Sequence, residues 1–130
     1  MEPTLTLHVL SGEFAVCRLD AHAAIPPEVL QEPFFGLTRT AGELSLLVPA
    51  ASVQPGWQAE GGWRMLQVAG PLDFSLVGIL SAIAAPLAQA GISIFACSTY
   101  DTDYILVKTA SLAHAVTVLQ TAGFEVIPAA

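Results

Sequence analysis

A chain of 130 residues that is 54% hydrophobic and 12% charged is long enough to bury a real core and too apolar to remain disordered. Its net charge is −7, with Arg18, Arg39, Arg64 and Lys108 as the positive side chains; without a basic stripe to neutralise phosphates, nucleic acid and anionic membrane surfaces are excluded as partners. No apolar run reaches the roughly 18 residues of a membrane-spanning helix, and the opening MEPTLTLHVL lacks the basic start of a signal or transit peptide, so a cytoplasmic location is expected.

Residues 4–10 alternate Leu5, Leu7 and Val9 against Thr4, Thr6 and His8, the pattern of a half-buried strand. Ser11-Gly12 reads as a tight turn into a second strand over 13–19, so the chain is expected to open with a hairpin. Pro26-Pro27 before Glu28 predicts a short helical turn. Residues 34–40 and 43–48 read as strands joined around Ala41-Gly42, and 49–53 as one or two helical turns. Four Gly and Pro breakers within 54–62 mark a linker,. Beyond it, 63–69 is a strand that Gly70-Pro71 ends.

Ser75 is the expected N-cap of the next helix, with Asp73 near its positive end. Leu76, Ile79, Leu80, Ile83 and Leu87 form its core-facing stripe, Pro86 kinks it and Gly91 stops it. On this reading Gly78 sits inside the helix, where it costs about 1 kcal/mol relative to Ala, and a close approach by a ligand or another backbone is the reason to keep it. Residues 92–99 and 103–108 are strands joined by a polar turn. Ser111 caps a second helix carrying Leu112, Ala115, Val116 and Leu119, Gly123 ends it, and 124–127 is the last strand.

The second half therefore reads β-α-β-β-α-β, a ferredoxin-like α+β sandwich. The first half repeats it at a constant offset of 59 residues,. Ser45-Leu46-Leu47-Val48 falls on Tyr104-Ile105-Leu106-Val107, Ser52 on Ser111, Pro27 on Pro86, and strand 4–10 on 63–69. Where the second half has its first helix, the first half has the strand-like FAVCRL. Two tandem ferredoxin-like units are expected, 1–62 degenerate and lacking its first helix, 63–130 complete.

No Walker loop, GxGxxG or GxSxG occurs,. His8, His22 and His114 lack metal-ligand spacing. Cys17 and Cys97 read as small buried apolar residues. No catalytic constellation, metal or cofactor is expected.

Residues 72–78 (LDFSLVG), 90–94 (AGISI) and 98–107 (STYDTDYILV) resemble the ACT domain, and more closely the small tandem-ACT proteins related to the CASTOR arginine sensors. The resemblance is strong over the second half and reaches the first through the repeat. It implies regulatory, non-catalytic binding of an amino acid or similar small metabolite at an interface between two ACT domains. The ligand loop would be Asp73, Phe74, Ser75, Leu76, Val77 and Gly78. The facing strand would offer main-chain groups of Ile92, Ser93 and Ile94, and Asp103, beside Thr99 and Tyr100, would contact the ligand side chain. Helix-start amides suit an α-carboxylate, and Asp73 or Asp103 suits an ammonium or guanidinium.

Each of these residues also has a plain structural reading. Asp73 favours a helix start, Asp103 a turn, and Tyr100 covers an apolar edge. Phe74 and Phe95 read as core. Because the first half has no counterpart of the ligand loop, a complete site needs a second chain, and a homodimer is expected, with a regulated protein partner downstream. The alternative is a ligand-free dimerisation module with a degenerate pocket.

Overall fold

The computed structural model describes residues 5–70 and 77–129. Its elements are β1 (Thr6–Val9), β2 (Phe14–Leu19), β3 (Gly36–Arg39), β4 (Leu44–Pro49), β5 (Gln58–Val68), α1 (Ile79–Gln89), β6 (Ile94–Ser98), β7 (Asp103–Lys108), α2 (Leu112–Thr121) and β8 (Glu125–Ile127). Single 3-10 turns lie at Val29–Gln31, Ala50–Ser52 and Thr109–Ser111. Among the described residues no helix is long and apolar enough to cross a membrane.

Contacts divide the chain into two compact units, Gly12–Trp63 and Met1–Ser11 with Arg64–Ala130. The boundary anticipated after residue 62 thus lies one residue later, and the opening strand goes with the second-half unit. The expected hairpin does not form. β1 pairs antiparallel with β5 through Leu7↔Val68 and Val9↔Leu66, and parallel with β8 through Leu7↔Val126. β2 instead pairs with β4 and with the first part of β5. Alternation fixes which face of a strand is buried but not which strand lies beside it.

The larger unit is the complete sandwich. Its strands run in the order β8-β1-β5-β7-β6, with β1 inserted beside the β5-β7-β6 set. Leu7, Leu66, Val68, Ile105 and Val107 from the sheet enclose Ile83 and Leu87 of α1 and Ala115 and Leu119 of α2 in one core. At about 25 cal/mol per Å2 of buried apolar surface, this is the dominant stabilising contact of the unit.

α1 begins at Ile79; the expected cap, Ser75, lies outside the described residues. Its N-cap is Gly78 at φ 79, a left-handed conformation that a right-handed helix cannot run back through. Gly78 therefore lies before the helix and not within it. A Cβ placed on it would meet nothing within 4 Å among the described residues, so its backbone conformation accounts for the glycine. Pro86 sits inside α1, and Gly91 at φ 75 follows it.

The smaller unit is a sheet in the order β3-β4-β2-β5. Its core is Ala15, Cys17, Val29, Leu44, Leu46 and Val48, with Trp57 packed against them. It contains no α-helix; the first-helix position is occupied by the single turn at Val29–Gln31, and the second by that at Ala50–Ser52. The anticipated linker 54–62 is instead half strand. β5 begins at Gln58 because β2 satisfies its backbone through Val16↔Glu60, Cys17↔Ala59 and Arg18↔Gln58. A bulge opposite Phe14 takes up one extra residue, and Gly62 supplies its φ of 77,.

The 59-residue offset holds in the structure. Shifting β4 and its following turn (Ala50–Ser52) by 59 gives β7 and the turn Thr109–Ser111. The β3-β4 register, Gly36↔Leu47, becomes the β6-β7 register, Phe95↔Leu106. Thr40 N donates to Glu43 O at 2.8 Å, as Thr99 N does to Thr102 O at 2.8 Å.

Candidate functional site

The polar turn between β6 and β7 is clamped to the end of β5. Thr99 N donates to Thr102 O at 2.8 Å, and Thr102 N donates to Thr99 Oγ1 at 3.3 Å, which closes the turn on itself. Thr102, only 5% exposed, donates its hydroxyl to Val68 O at 2.6 Å. Immediately after this turn, Asp103 accepts a hydrogen bond from Ser98 Oγ at 2.6 Å, across a directly paired position of the two strands. The carboxylate is thus oriented by a neighbour. Tyr100, 80% exposed, stands at the tip of the turn.

Behind Asp103 lie Cys97 and Tyr104, also a directly paired couple. Burial, and then the Asp103 charge, push the Cys97 thiol above its ordinary value. Burial, then Cys97 and Asp101, do the same to the Tyr104 phenol. Both groups are held neutral at pH 7 and so add no negative charge to this region.

β7 begins at the end of β5, and β6 finishes there, so α1 must carry the chain to the opposite end of the sheet. The N-terminus of α1 consequently lies at the end that holds the Thr99–Asp103 turn. Among the described residues it has no side-chain cap, so the amides of its first turn (Ile79 to Ser81) and the positive end of the dipole meet no described side-chain acceptor. Of the helix-start donors expected at 75–77, residues 75 and 76 lie outside the described residues. Val77, 90% exposed, stands just before the start of α1.

Ile92, Ser93 and Ile94 lie at the other end of β6. Ile92 is buried in the helix-sheet core, with its amide donating to Leu87 O at 2.9 Å, while Ser93 is exposed. At about 3.3 Å per residue, Ile94 and Ser98 are some 13 Å apart along the strand. One small molecule cannot touch both ends within one chain. β6 pairs only with β7 among the described strands, which leaves its outer main-chain edge open. The structure therefore brings Gly78, Thr99, Tyr100 and Asp103 to one end and sets Ile92, Ser93 and Ile94 apart. Asp73, Phe74, Ser75 and Leu76 lie outside the described residues.

Sequence reasoning passed over two side chains that build this end, Ser98 and Thr102. The Thr99-x-x-Thr102 spacing is a turn signal, and its echo at Thr40-x-x-Glu43 was available in the repeat. Ser98 becomes legible only once the register places it opposite Asp103.

Residues 58–121 match the family model of the ACT domain, and residues 12–54 match a second model describing an N-terminal domain. The chain belongs to the ACT-domain family. A crystal structure of an Agobacterium tumefaciens protein is similar over nearly its whole length, 31% identical with a TM-score of 0.90, covering 98% of this chain and 95% of that one. The human "Cytosolic arginine sensor for mTORC1 subunit 1" is 33% identical over 106 residues, 75% of this chain and 32% of the sensor; the chain thus spans about a third of that relative. The regulatory subunit of aspartate kinase from Thermus thermophilus shares the fold, at a TM-score of 0.61 and 9% identity, covering 88% and 93% of the two chains.

Proposed function

We propose that this protein is a non-catalytic regulator that binds an amino acid or similar small metabolite where two ACT domains meet. The observation that carries the reading is Asp103, held by Ser98 at 2.6 Å on a turn pinned to β5, at the same end as the start of α1, which no described side chain caps. A carboxylate acceptor and a set of helix-start amides at one end of the sheet match the ammonium and α-carboxylate of an amino acid. The sensor and aspartate kinase relatives support the regulatory class. Asp73, Phe74, Ser75 and Leu76 would complete the loop, Thr99 and Tyr100 its rim.

Ile92, Ser93 and Ile94 would serve a ligand held by a second copy, through the open edge of β6. Residues 12–63, which form no α-helix, are read as a degenerate ACT copy with no ligand loop of their own. The closing partner is then another chain, and the protein acts as a cytoplasmic homodimer whose state is passed to a protein target. A melting screen with each of the twenty amino acids tests this. A specific shift at millimolar ligand, lost in Asp103→Ala, is expected; no shift for any of them sinks it. The same open edge of β6 favours a second reading, dimerisation without a ligand, which predicts unchanged self-association in Asp103→Ala and no shift with any amino acid.

A further inference from the structure

A groove of about 470 Å3 runs between α2 and the β1-β8 side of the larger unit, at the opposite end of the sheet from the Asp103 turn. Its walls are apolar, formed mainly by Val9, Leu112, Ala113, Val116 and Val126, with Arg64 and Gln120 as the polar side chains. Its volume falls within the range of small-molecule sites. From Leu112 to Gln120 the wall runs about 12 Å at 1.5 Å per residue, room for an extended acyl tail.

Arg64 is the informative group. Its Nη2 donates to Leu10 O at 3.2 Å, yet its Nε is buried with no hydrogen-bond partner among the described residues. A buried unsatisfied donor on a charged group is costly and calls for an explanation. Water is a poor candidate, because an ordered water needs two to four polar partners and these walls are apolar. α2 begins at the same groove, and its N-cap Ser111 makes no side-chain cap bond, so the dipole adds positive potential there. A carboxylate answers both features, since it accepts bidentate bonds from a guanidinium. The net charge of −7 disfavours a second carboxylate on the same ligand.

We infer that this groove is a second binding site, taking a monocarboxylate with a medium-length aliphatic tail, its head on Arg64 and its tail along α2. The site uses none of the residues of the amino-acid site and does not depend on it.

Hexanoate is the probe, with 1-hexanol as its uncharged match, followed by methyl NMR of the full chain. Hexanoate at millimolar concentration should shift the methyls of Val9, Leu112, Val116 and Val126 and leave those near the Asp103 turn unmoved. Hexanol should bind at least about tenfold more weakly. Arg64→Met should keep the fold and erase the preference of acid over alcohol. Ala113→Trp, which retains Arg64, should block both ligands and keeps the test decisive if Arg64→Met does not fold. Absence of shifts in these methyls, equal binding of acid and alcohol, or an undiminished acid preference in Arg64→Met would each overturn the site.

Discussion

His8 and Gln67 stand opposite each other in the antiparallel β1-β5 pair, and they are also counterparts under the 59-residue repeat. The opening strand of the first half thus lies against the equivalent strand of the second, inside the second-half unit. Leu7, fully buried in the helix-sheet core, tests that placement. Leu7→Ala should cost about 2–5 kcal/mol through transfer and cavity terms. Hydrogen exchange should quicken across β5, β8, α1 and α2 and stay unchanged in β3 and β4; the reverse pattern would return β1 to the first-half unit.

Thr102 anchors the site turn. Thr102→Val keeps the shape and removes the hydroxyl that Val68 O accepts at 2.6 Å. Leaving that carbonyl unpaired in a buried position should cost about 1–3 kcal/mol, read from urea midpoints. Thr102→Ser should recover most of the loss, and a valine variant as stable as the parent would show that the bond contributes nothing.

Gly78→Ala isolates a backbone effect. With no described atom within 4 Å of an added Cβ, the penalty comes from the φ of 79 and should be about 1–2 kcal/mol. Asn, which tolerates this conformation better, should cost less. Equal stability for Gly, Asn and Ala by thermal unfolding would contradict a left-handed N-cap.

The Cys97 thiol titrates above its ordinary value of 9.0 in the folded chain because burial, then Asp103, disfavour the thiolate. The unfolded chain loses this proton first as pH rises. The stabilisation is therefore complete below the ordinary value and falls away as pH climbs from there through the folded value. Urea midpoints measured from neutral to alkaline pH should fall less steeply for Cys97→Ala than for the parent. Identical slopes would remove Cys97 from the linkage, leaving Tyr104, whose shift has the same sign.

Legibility in the sequence followed the range of the interactions. The β6-β7 hairpin, α2 and the β4 strand were readable because alternation, a turn and a 3.6-residue stripe are local signals. Residues 58–62 were not, since their glycines read as a linker until β2 supplies a hydrogen-bonding edge. Gly78 was placed inside α1 because the apolar stripe runs through it, whereas it adopts a conformation the helix cannot include. Asp103 was readable as a site candidate; its fixing partner, Ser98, and the anchor, Thr102, depend on register.

By itself the sequence determined the α+β class, the 59-residue offset that relates β4 to β7, and the family. Tertiary structure decided which strands lie side by side, placing β1 in the unit with α1 and α2. It also decided that Ile92 to Ile94 lie about one strand length from the Thr99–Asp103 turn. The physical reason is the same for both. Side-chain pattern fixes the face and kind of each element, but neighbours in a sheet are chosen by backbone pairing between residues far apart in the chain.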